Sequence, residues 1–197
     1  MITNYSELVS AVGDWLDRDD LALRSSTFIQ LAESSLNRKL DDPSMEVAVT
    51  GTATSDSTPL PADFGAMVSI STGNGDLKAI GAVEYATYRP VSDIPRAYAI
   101  IDNALWFAPR NPTTPYTLVY RRRIPALTET APTNWLLALA PDVYLYGALL
   151  QAEAFLAEDD RISLWKAAFD EAVSELITDG AKRKWGAGPI APRIRRA

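Results

Sequence analysis

The spacing of apolar positions changes period twice along the chain. From Tyr5 onward Leu8, Val12, Trp15 and Leu16 recur at helical spacing, and Asn4 with Glu7 three residues later has the spacing of a capping box. After the acidic break "DRDD" a second helix is predicted, with Phe28, Ile29, Ala32, Leu36 and Leu40 on one face. From about Met45 to Pro125 prolines and glycines crowd the sequence and the period shortens to two. "MEVAVT", "AMVSIST", "RAYAIIDNALWFAPR" and "YTLVYRRRI" read as strands. "IIDNALWF" predicts a hairpin turning at Asp102 and Asn103, because both residues tolerate left-handed backbone angles. "GAVEYATYR" predicts a short helix in the same region.

Helical period returns in "NWLLALAPDVYLYGALLQAEAFL", residues 134–156, the most apolar stretch of the chain. Its length would suit a bilayer, but Pro141 followed by Asp142 divides it. Proline fits the first turn of a helix, where its missing N–H is not needed, and an acid beside it complements the positive helix end. A bundle helix starting near Pro141 is therefore expected, not a membrane span. Val143, Tyr144, Gly147, Leu150, Ala154 and Phe155 recur at helical spacing. Gly147, Ala148, Ala152, Ala154 and Ala157 are small enough to let a neighbour approach. "EDDR" at 158–161 ends this helix, and Asp159 or Asp160 caps the next. That last helix carries Ile162, Trp165, Phe169, Val173, Leu176 and Ile177 on its stripe and is expected to stop at Gly180.

The predicted fold is α+β, mainly a helical bundle of two N-terminal and two C-terminal helices with an inserted small antiparallel sheet and an extended C-terminal tail. Its divisions are residues 1–44 and 126–185 for the bundle, 45–125 for the β-rich insertion and 186–197 for the tail.

Composition narrows the chemistry. The chain has 197 residues with neither cysteine nor histidine. Disulfides, thiolate nucleophiles, Ser-His-Asp chemistry and most zinc sites are thereby removed. No catalytic residue, cofactor or metal is expected. The N-terminus lacks a basic n-region and a small-residue cleavage site, so a signal peptide is not predicted.

Charge is uneven. The formal net charge is −6, yet residues 181–197 hold Lys182, Arg183, Lys184, Arg193, Arg195 and Arg196 and no acid. The preceding 180 residues carry 13 basic against 25 acidic side chains, about −12. An acidic body with a short basic tail suits a duplex-DNA binder poorly, because counterion displacement needs a broad basic face. In "KRKWGAGPIAPRIRRA", Gly186, Gly188, Pro189 and Pro192 prevent helix continuation among the apolar Trp185, Ile190 and Ile194. Such a segment is addressed to a protein surface.

Several local patterns admit a sharper use. Glu153, Glu158, Asp159 and Asp160 could pair as hydrolase acids, but a helix junction with its cap accounts for the last three, and a polar stripe or a basic partner for Glu153. "DWLDRDD" at 14–20 clusters carboxylates as calcium would require, yet lacks the loop glycine and terminal glutamate of an EF-hand. "GNGD" at 73–76 is too short for a phosphate loop and reads as a hairpin tip. Arg121, Arg122 and Arg123 beside Tyr120 could meet phosphate. An arginine-bearing strand more often pairs with acids across an interface, so these three and Trp106 are expected at contacts between subunits. Trp15, Trp135 and Trp165 are expected in the core or at an interface.

The order of "FIQLAESSLNRKL", "PLPADF", "YAIIDNALWFAPRNP", "YTLVYRRRIPALTET" and "TNWLLALAPDVYLYGALLQAEAFLAEDDRISLWKAAFDEAV" resembles the head-to-tail adaptor, or connector, proteins of tailed bacteriophages. The resemblance covers most of residues 5–178 and is most specific in the block from Asn134 to Asp160. It implies a non-enzymatic virion protein at the head–tail junction, made in the host cytoplasm. It further implies a ring, typically of twelve copies, beneath the portal protein. The C-terminal segment (Trp185, Ile190, Arg193, Ile194, Arg195, Arg196) would reach the portal, and the other face would receive tail or nozzle proteins. DNA would pass the central channel without specific binding, since an acidic wall repels phosphate. The rival classes are a carboxylate-based cell-wall hydrolase and a nucleic-acid-binding module.

Overall fold

The computed structural model describes residues 1–16, 24–53, 57–88, 94–109, 113–156 and 162–186. In chain order these form α1 (Tyr5–Leu16), α2 (Ser25–Lys39), a 3-10 turn (Pro43–Met45), β1 (Glu46–Thr52), β2 (Ser57–Pro59), β3 (Phe64–Thr72), β4 (Gly75–Asp76) and β5 (Lys78–Ala79). There follow α3 (Ala82–Thr87), β6 (Ala97–Ile101), β7 (Ala104–Ala108), β8 (Pro115–Arg122), α4 (Trp135–Leu139), α5 (Pro141–Leu156) and α6 (Ile162–Trp185). The chain divides into two compact units, Met1–Ser44 with Ile124–Ala197, and Met45–Arg123.

In the helical unit α5 is central and packs on α1, α2, α4 and α6. Its small residues explain how. A Cβ on Gly147 would stand 3.0 Å from the Phe169 ring of α6 and 3.1 Å from the Ala32 Cβ of α2, so both neighbours reach van der Waals contact with the α5 backbone. Leu8, Val12, Phe28, Ile29, Ala32, Leu36, Val143, Tyr144, Ala148 and Phe169 are buried around that crossing. Asn4 caps α1, its Oδ1 accepting the Glu7 N–H at 2.9 Å, while Glu7 reaches back past Asn4 to the Thr3 N–H at 2.7 Å. Asn134 caps α4 in the same way through the Leu137 N–H at 2.8 Å. The apolar run is thus divided between α4 and α5 at Ala140, and no helix of the described residues is long and apolar enough to cross a membrane.

The β unit corrects the expected fold class. Instead of one small antiparallel sheet attached to a mainly helical protein, there are two four-stranded sheets, ordered β1-β8-β3-β4 and β2-β7-β6-β5. They close on a core of their own, to which Ile70, Leu118 and Tyr120 come from the first sheet and Tyr98, Leu105 and Phe107 from the second. One pairing, β5 with β6, is parallel. The physical reason for the error is length: β2, β4 and β5 have three, two and two residues. Runs that short hold no alternation to detect, yet β2 and β5 border the second sheet and β4 the first. The four longer strand runs and the short helix "GAVEYATYR" are where the sequence put them. The β6–β7 turn has Asp102 at φ 51° and Asn103 at φ 55°, the left-handed pair that a two-residue hairpin needs.

A second correction concerns α6. It does not stop at Gly180, which is buried inside the helix, but continues to Trp185; Gly186, at φ 73°, is the left-handed terminator. Gly180 lacks a side chain for packing rather than for turning.

Candidate functional site

With no catalytic group expected, the candidate elements are surfaces and the supports that aim them. Of the tail residues, the structure describes Trp185, which ends α6 and is 60% exposed with the Lys184 Nζ 5.4 Å from its ring centroid. Ile190, Arg193, Ile194, Arg195 and Arg196 lie outside the described residues, as do Asp159 and Asp160 of the supposed cap, Glu158, and the end of "DWLDRDD". The Glu153 side chain lies outside them as well. Among the described residues no group of three or more acids could hold a metal ion.

The three arginines do not share a face. Arg121 and Arg122 are the last two residues of β8 and Arg123 follows it, and side chains alternate across a sheet. Arg122 follows the side of Leu118 and Tyr120, whereas Arg121 takes the opposite side. There the register sets Arg121 directly across from Glu46 of β1, so an acid of its own chain is its cross-strand neighbour. Arg121 and Arg122 are half-buried and Arg123 is exposed, its backbone N–H donating to the Asp63 carbonyl at 2.7 Å. Trp106 on β7 is half-buried; its Nε1 donates to the Ile101 carbonyl at 3.2 Å and its ring meets Tyr85 edge-on at 5.7 Å. Trp15 and Trp165 pack against each other at 5.4 Å beside Tyr146, tying α1, α5 and α6 together. "GNGD" forms the hairpin tip, Gly73 and Asn74 turning between β3 and β4 and Gly75, at φ 111°, opening β4.

Two polar supports escaped the sequence pattern. In the first, α2 receives the chain as it returns to the helical unit. Asn37 Oδ1 accepts the Ile124 N–H at 2.8 Å and Glu33 Oε1 accepts the Leu127 N–H at 2.8 Å, one helical turn away. Glu33 also takes the Tyr144 hydroxyl at 3.4 Å, and that hydroxyl accepts from Asn134 Nδ2 at 2.6 Å. Burial raises the Glu33 carboxyl above its ordinary range, against the two donated hydrogen bonds that favour the anion. Burial likewise raises the Tyr144 phenol. In the second support, fully buried Asp42 pairs with Arg183 near the end of α6 at 2.8 Å. The sequence signal for either was weak: both acids lie beside residues that read as ordinary helix surface or helix end.

No curated protein matches the chain. A family model described as SU10 adaptor protein matches residues 3–193, which takes in every element of both units. The match takes in the two-unit fold, the divided apolar run and the basic C-terminal segment as far as Arg193, and the chain is a member of the SU10 adaptor protein family, a family of phage head-to-tail adaptors.

Proposed function

We propose that this phage adaptor acts as a ring, of about twelve copies as in the proteins it resembles, that joins the portal to the tail and lets DNA through without gripping it. The C-terminal segment is its portal-binding element, and the opposite face receives tail proteins. The observation that carries this is the delivery of that segment. The longest helix among the described residues, 24 residues, ends on an exposed tryptophan and a left-handed glycine, directly before residues rich in arginine and free of acid. An apolar anchor beside several guanidinium groups suits a partner surface with an apolar pocket and carboxylates.

Ordering a proline-containing segment opposes its docking, so one tail binds weakly and a ring of tails binds durably through effective concentration. The acidic body fits a channel wall that repels phosphate.

Light scattering of the adaptor, alone and mixed with the portal protein of its own phage, tests this for the full chain and for a truncation after Lys184. A ring-sized complex with portal that disappears on truncation is expected. A full-length protein indifferent to portal would overturn the proposal.

A further inference from the structure

The end of α6 is held more firmly than a helix end needs for its own sake. Asp42, in the connection after α2, is 0% exposed. Its Oδ1 accepts the Ser44 N–H at 2.8 Å and its Oδ2 accepts Arg183 Nη2 at 2.8 Å. Arg183 spreads its remaining donors over Asp179, Nε to Oδ2 at 3.2 Å, and Ser44, Nη1 to Oγ at 3.3 Å. One turn earlier the α6 backbone passes so close to this connection that a Cβ on Gly180 would stand 2.6 Å from Asp42 Oδ2 and 3.1 Å from Pro43 Cδ. The last two turns of α6 are therefore fixed twice, by a contact only glycine permits and by a guanidinium on a buried carboxylate. Releasing the second would leave a buried charge unpaired. Helix ends ordinarily fray; this one has been given a partner.

We propose that Asp42, Gly180 and Arg183 are positioning residues for the C-terminal segment. They keep Ala181–Trp185 helical and in place, so that Trp185 and the chain after it leave the body from a fixed point. This rests on the portal-docking role proposed above. A segment leaving a fixed stem has fewer residues to order on docking than one whose stem has frayed, and so binds more tightly with the same contacts.

The test uses the full-length adaptor and two readouts. Hydrogen exchange of the free protein compares wild type with Arg183→Gln, Arg183→Lys and Gly180→Ala. Amides of Ala181–Trp185 should exchange at least about tenfold faster in Arg183→Gln and Gly180→Ala, with those of Trp165–Leu176 unchanged and Arg183→Lys intermediate. Gly180→Ala is the discriminating variant. Alanine is the better helix former, so a role confined to helix stability predicts slower exchange there, whereas displacement from Asp42 and Pro43 predicts faster. Should Arg183→Gln lose protection throughout α6, Gly180→Ala alone carries the test.

Portal affinity is then measured, and about tenfold weakening is expected for the two loosened variants, against complete loss on truncation after Lys184. Unchanged exchange at Ala181–Trp185, or faster exchange with undiminished affinity while truncation still abolishes binding, would overturn the positioning role alone. Portal binding that survives truncation would overturn the docking role itself and with it the purpose assigned to these residues.

Discussion

Glu33 illustrates how much one side chain can hold. It is 5% exposed, accepts a backbone N–H from the returning chain and a phenol from α5, and has its carboxyl raised by burial. Because the folded group binds its proton more tightly than the unfolded one, the folded state carries the extra proton between the two pKa values. Stability due to Glu33 is therefore greatest at low pH and is lost as pH rises from 4.5 through the raised folded value. The ionisable groups around it, Tyr144 and Tyr5, do not titrate in that window. Glu33→Gln keeps an acceptor for the Leu127 N–H and removes the charge. Denaturant titrations across that pH range should show the variant gaining stability relative to wild type as pH rises. Glu33→Ala leaves the N–H unpaired and should cost about 1–3 kcal/mol at low pH, a difference from wild type that narrows as pH rises. Neither effect was legible in "FIQLAESSLNRKL", where Glu33 sits among serines like a surface residue. Its burial depends on a segment that returns 94 residues later.

At the scale of elements, local chemistry and close packing can be separated. Asn4 holds the first turn of α1, and Asn4→Ala should lower thermal stability by about 1 kcal/mol without changing the fold. The β6–β7 turn demands positive φ at both central residues, so Asn103→Gly should be neutral or stabilising by up to about 1 kcal/mol, and Asn103→Val clearly destabilising. Gly147 is decided by neighbours instead. A leucine there must displace Phe169 and Ala32 and should cost about 2–3 kcal/mol or prevent folding, visible as a lowered urea midpoint. The cap at Asn4 and the hairpin could be read from the sequence because each acts over three or four residues. The continuation of α6 beyond Gly180 could not. A glycine near the end of a helical stripe looks the same whether it terminates the helix or makes room for Asp42.

For the whole molecule, the β unit has the anatomy of an insertion. Its first and last strands, β1 and β8, pair antiparallel with Glu46 opposite Arg121, so the chain enters and leaves side by side. Such an insert asks the helical unit to close only a short gap. Its core also comes from its own two sheets. Residues 45–123 expressed alone should therefore fold cooperatively, with a β-type circular dichroism spectrum and a single unfolding transition. A spectrum of unfolded chain would show that the helical unit is needed to complete it.

The sequence by itself determined two helices at each end of the chain, the cap at Asn4, the five longer strands, the break at Pro141, the hairpin at Asp102 and Asn103, and an acidic body ending in a basic segment. Each is set by neighbours within a few residues or by composition, and the order of these features carried the family. Only the tertiary structure decided that there are two sheets, that Gly180 and Gly147 are contact points, and that Glu33 and Asp42 are buried. The strands that border the second sheet are too short to announce themselves. A buried carboxylate is made by whatever the rest of the chain lays over it, which no local pattern of polar and apolar residues can encode.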